Sequence, residues 1–172
     1  MSIFRRFTAA VAAISVSSLM VATAFATAGQ WTGSSQHYNV YSTYRGVYSE
    51  QFFMPPTYVD RYDMATSVAA TVTPYNQTQK ELVRLCYTPP YAASIIACSR
   101  YQEITAVLPI HIQGIGNFYA VDANGNNDYG GLYLNVSAKG SFTVQHMFPD
   151  GLLEPLLGDT GRDSIIVDYA TD

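Results

Sequence analysis

The chain predicts an all-β protein: a single-domain antiparallel β-sandwich of about eight short strands carrying one disulfide. Three observations point there. Apolar and polar residues alternate at period two in many short runs, the spacing that sends successive side chains to opposite faces of a sheet. Turn chemistry separates the runs, at Pro55-Pro56, Thr73-Pro74-Tyr75-Asn76, Pro89-Pro90, Asn124-Gly125, Lys139-Gly140, Pro149-Asp150-Gly151 and Gly158-Asp159-Thr160-Gly161. The composition, with 14 tyrosines and only 13% charged residues among 172, is that of an exported β-protein more than a cytosolic helical one. No internal repeat and no long helical pattern competes with this reading.

The N-terminus sets the compartment. Arg5 and Arg6 precede an apolar stretch from Ala9 to Val21, interrupted by Ser15, Ser17 and Ser18. Ala24-Phe25-Ala26 and Ala26-Thr27-Ala28 both fit the small-residue cleavage pattern, so residues 1–28 are expected to be a secretory signal peptide and 29–172 the mature domain. A cut after Ala26 fits equally well. No other stretch approaches the roughly 20 apolar residues of a membrane span, so no stable membrane insertion is expected after cleavage. The expected location is the periplasm, with the cell exterior as the alternative. Cleavage removes two of nine basic residues and none of thirteen acidic ones, giving 7 − 13 = −6. That charge argues against a nucleic-acid partner.

The elements follow in order. Tyr38, Val40, Tyr44 and Tyr48 share one parity of residues 37–49; Met64, Val68, Ala70 and Val72 share another; Val83, Leu85 and Tyr87 alternate with Arg84. Ile104, Ala106, Leu108, Ile110 and Ile112 form a further run, which Pro109 makes an edge strand or breaks, because proline cannot donate to a ladder. Leu132, Leu134 and Val136, then Phe142, Val144, His146 and Phe148, then Ile165, Val167 and Tyr169 complete the set.

In an oxidising compartment the only two cysteines, Cys86 and Cys98, are expected to form one structural disulfide. Their spacing is too long for a C-x-x-C redox pair, and no zinc-ligand pattern accompanies them. Asp122, Asn124, Asn126 and Asp128 partly resemble a calcium loop. The EF-hand pattern would need glycine at Asn127 and an acid at Tyr133, so an irregular turn is the stronger expectation and neither a metal nor another cofactor is expected. The tyrosines from Tyr38 to Tyr62 suggest an aromatic platform for a glycan or protein, although they fall on both parities. His37, His111 and His146 stand alone, and no nucleophile motif occurs, so no catalytic residue and no enzyme activity are expected. His146 shares the apolar parity of Phe142 and Val144, where a satisfied, partly buried imidazole is expected in place of a ligand.

Three stretches, "GQWTGSS", "LVRLC" with the nearby "ACSRY", and the closing "FPDGLLEPLLGDTGRDSIIVDY", resemble the flagellar protein FlhE family of periplasmic proteins. The resemblance implies a non-enzymatic accessory of flagellar assembly, chaperone-like for rod components or regulating export. It assigns structural roles to Trp31, Cys86, Cys98 and the strand Ile165 to Tyr169. The expected mechanism is capture of a protein partner by strand addition or through an aromatic surface, with Ile165, Val167, Tyr169, Tyr87 and Tyr91 as the candidate contacts. The alternatives are a pilus or surface-adhesin subunit, and an inhibitor of a secreted hydrolase that presents the loop between the cysteines.

Overall fold

The computed structural model describes residues 27–41, 46–75, 80–104, 108–152, 155–156 and 161–171. Among these, eleven strands form two antiparallel sheets and there is no helix. A four-stranded sheet has the order β1 (Thr27–Gln36), β11 (Arg162–Thr171), β3 (Met64–Val72), β7 (Ile110–Gln113). The other has β2 (Val47–Phe53), β10 (Ser141–Phe148), β4 (Glu81–Thr88), β5 (Ala97–Cys98), β8 (Tyr119–Val121), β9 (Asn127–Leu132), with β6 (Gln102–Ile104) beside the start of β4. The core lies between the sheets, where Val68, Ala70 and Ile165 meet Val83, Leu85, Phe142 and Val144.

Period-two alternation of burial is realised in β3 and β11, which bury Val68, Ala70 and Val72, then Ile165 and Val167. Strands β4 and β10 depart from it, since Arg84 and Cys86 are buried as well as Val83, Leu85 and Tyr87, and Thr143 and Gln145 as well as Phe142, Val144 and Phe148. The run expected from Ile104 to Ile112 is two strands, β6 ending at Ile104 and β7 starting just after Pro109; Ala106 lies outside the described residues. The two strands fall in different sheets, and β7 is an edge strand. The alternation from Leu132 to Val136 does not continue as a strand, because β9 stops at Leu132. Likewise Tyr38 lies outside any strand, Val40 makes a single bridge to Leu156, and β2 starts only at Val47; Tyr44 lies outside the described residues.

A strand that period-two alternation does not reveal is β1, whose sequence TAGQWTGSSQ is rich in small polar residues. It pairs with β11 through ten consecutive partners, from Thr27 with Thr171 to Gln36 with Arg162. Its anchor is Trp31, 2% exposed, whose indole N–H donates to the Ala138 carbonyl at 3.0 Å. Strand β11 is therefore interior, held by β1 on one side and β3 on the other. The expected docking edge at Ile165, Val167 and Tyr169 is not there: all three side chains are buried in the core, and both edges of their strand are occupied.

Candidate functional site

One end of the sandwich is closed by side chains far apart in sequence. His37 follows β1, Tyr75 follows β3, Glu81 opens β4, His146 is in mid-β10 and Asp163 is the second residue of β11. Both sheets contribute. The His146 ring lies between two carboxylates, with Nδ1 2.5 Å from Glu81 Oε1 and Nε2 2.8 Å from Asp163 Oδ2. Ionised carboxylates only accept, so His146 donates from both nitrogens, which is the imidazolium form. His37 donates from Nε2 to Asp163 Oδ1 at 3.0 Å, and the same oxygen accepts the Thr73 backbone N–H at 2.9 Å. The Glu81 carboxylate also accepts the Tyr75 backbone N–H at 3.1 Å.

The surroundings hold these groups in place. The His37 ring stacks on Tyr75 with centroids 4.3 Å apart, and His146 meets Tyr75 edge-on at 5.2 Å. The Tyr75 hydroxyl lies 2.5 Å from Ser49 Oγ and donates to the Tyr38 carbonyl at 2.8 Å. Gly161 has no side chain because none fits: a Cβ there would lie 2.1 Å from His37 Nδ1. Burial disfavours charge on His146, but hydrogen bonds to Asp163 and Glu81 outweigh it and hold its pKa up at about 9. Burial likewise opposes charge on Asp163, and His146 and His37 outweigh it, holding that carboxyl below its ordinary value. Burial pushes the Tyr75 hydroxyl up to about 12.

His37, His146 and Asp163 could together hold a metal ion, their ligating atoms lying within 4.8 Å of one another. Three ligands fall short of the four of a closed structural zinc site, and each imidazole nitrogen facing Asp163 sits at hydrogen-bond distance. The residues fit protons better than a metal. With side-chain exposures of 0–1% for His37, Glu81, His146 and Asp163, the cluster offers no face to a substrate. Its chemistry is that of a lock between the sheets.

The other candidates are scattered. Cys86 and Cys98 form the disulfide, directly opposite each other across β4 and β5. Tyr87 is buried, its hydroxyl accepting the Ser137 backbone N–H at 3.0 Å, whereas Tyr91 is 87% exposed. Asp122 Oδ1 accepts the backbone N–H groups of Asn124 and Asn126, each at 2.8 Å, which is the geometry of an Asx turn; Asp128 accepts from Gly130 at 2.9 Å. His111 is exposed, beside Thr71. Of the tyrosine-rich region, Tyr38, Tyr41 and Tyr48 are exposed together with Phe52 and Met54. Tyr38, Val40, Tyr41, Tyr48 and Glu50 line one shallow cleft of about 420 Å³.

No family model and no curated protein matches the chain. Two of the solved structures similar to it are the crystal structure of FlhE and that of Desmodium yellow mottle tymovirus. The first is 18% identical, with 85% of this chain and 100% of that one covered and a TM-score of 0.45. The second is 8% identical, with coverages of 99% and 96% and a TM-score of 0.35. Likenesses this distant carry nothing about function.

Proposed function

We propose that this chain is a non-enzymatic, exported accessory protein that holds an extended segment of a protein partner along the outer edge of β2. The observation that carries this reading is the character of that strand. Among the described residues β2 has a ladder only with β10, and its outward residues Tyr48 and Phe52 are 49% and 54% exposed. Tyr38 and Tyr41 extend the same apolar surface. An unpaired strand edge calls for another extended backbone, and aromatic side chains beside it supply binding area with little rotamer entropy to lose.

The flagellar setting, with rod or export components as the partner and the periplasm as the place, rests on the three sequence stretches that resemble the FlhE family. The disulfide fits an oxidising compartment. The test is co-purification from periplasmic extract of the host, comparing the oxidised mature chain with its Phe52→Lys variant. Rod or export components recovered with the first and lost with the second support the proposal. Ladder-like oligomers of the chain would favour the pilus subunit instead, and recovery of a hydrolase the inhibitor.

A further inference from the structure

Arg84 is the anomaly of the large sheet. It is 5% exposed, yet among the described residues no carboxylate lies within ion-pair distance of it. Its Nε donates to Gln145 Oε1 at 2.7 Å and one terminal nitrogen to the Gly125 carbonyl and Asn127 Oδ1 at 3.0 and 3.1 Å, all neutral acceptors. Its guanidinium lies over the Tyr101 ring, 4.4 Å from the centroid. Glu50 reaches it only indirectly, by accepting from Gln145 Nε2 at 2.6 Å. A buried arginine without a counter-ion is costly unless an anion joins it.

Arg84 also lines a cleft of about 350 Å³, the size of a small-ligand site. Tyr48, Tyr101, Tyr129 and Met147 give it apolar walls, the turn Asn124 to Asn127 gives a polar rim, and among the described residues no acidic side chain lines it. Tyr129 is steadied from behind by Arg100, 4.8 Å from its centroid, and by Tyr119. The nearby Asp122 and Asp128 carboxylates are engaged by their own turns. Aromatic faces suit the C–H face of a sugar ring, rim amides suit its hydroxyls, and the guanidinium suits a carboxylate.

We propose that this cleft binds an acidic saccharide unit, its carboxylate on Arg84 and its ring against Tyr129. The experiment is an amide-resolved NMR titration with D-glucuronate, with D-glucose and inorganic phosphate as comparisons. Glucuronate is expected to shift Asn124 to Tyr129 saturably, and glucose and phosphate to bind at least about tenfold more weakly. Arg84→Gln should abolish glucuronate binding. Because Arg84 is buried, Tyr129→Ala gives a second reading; that ring is 55% exposed, and its loss should weaken glucuronate about tenfold with an unchanged fold. No saturable shift with glucuronate would overturn the proposal. So would equal affinity for glucose, equal affinity for phosphate, or a Tyr129→Ala variant that binds as the parent does. Phe52→Lys, which tests the β2 edge, lies outside this cleft, so the two proposals fail separately.

Discussion

Burial alone would strip His146 of its proton; Asp163 and Glu81 keep it there, with the pKa raised from 6.5 to about 9. A raised imidazole stabilises the fold fully below its unfolded value and loses that contribution as pH climbs through about 9. Asp163, held below its ordinary value, contributes above that value and loses it as pH falls through the lowered one. The thermal midpoint should therefore be flat only between the ordinary carboxyl value of 3.8 and the ordinary imidazole value of 6.5, and fall from there to about pH 9, a limb that His146→Gln removes. That variant also leaves two buried carboxylates short of a donor, so denaturant titration at neutral pH should show a loss of about 3–5 kcal/mol. Gly161→Ala tests the cluster from the backbone side, because the new Cβ must displace the His37 ring; a cost of about 1–3 kcal/mol is expected by the same assay. The period-two parity of β10 made a buried His146 legible. Its partners were not, since residues 37, 81 and 163 meet it through pairing of distant strands and packing between the two sheets, which local spacing does not encode.

At the level of elements, β3 and β11 were readable because each buries one face, and β10 from its apolar parity although Thr143 and Gln145 on its other face are buried too. Strand β1 was not. Its only large apolar side chain is Trp31, and it is a strand because β11 offers it a ten-residue ladder. That unseen neighbour is also why the C-terminal strand is interior. Val167→Lys would put a charge at a fully buried position and should unfold the domain, seen as loss of the cooperative thermal transition, instead of removing partner binding alone. Thr27 and Ala28 belong to the same ladder, so of the two expected cleavage sites only the one after Ala26 leaves it whole. The disulfide was readable from cysteine count and compartment, and it closes a separation of 12 residues. Replacing Cys86 and Cys98 together by alanine should cost about 3 kcal/mol in denaturant titration, through the entropy regained by the unfolded loop.

For the molecule as a whole, the all-β class could be argued from composition and pattern, while the proposed binding edge could not. Exposed tyrosines and strand edges are properties of how the sheets are ordered. The order places β2 at an edge and β11 inside one, the reverse of what the apolar C-terminal sequence suggests. The proposed function rests on that β2 edge receiving an extended chain. Amide hydrogen exchange on the mature protein, alone and with its captured partner, tests this most directly. Slowed exchange across Val47–Phe53, with β9 and β7 unchanged, is the predicted result. Protection that appears on another edge, or on none, would contradict it.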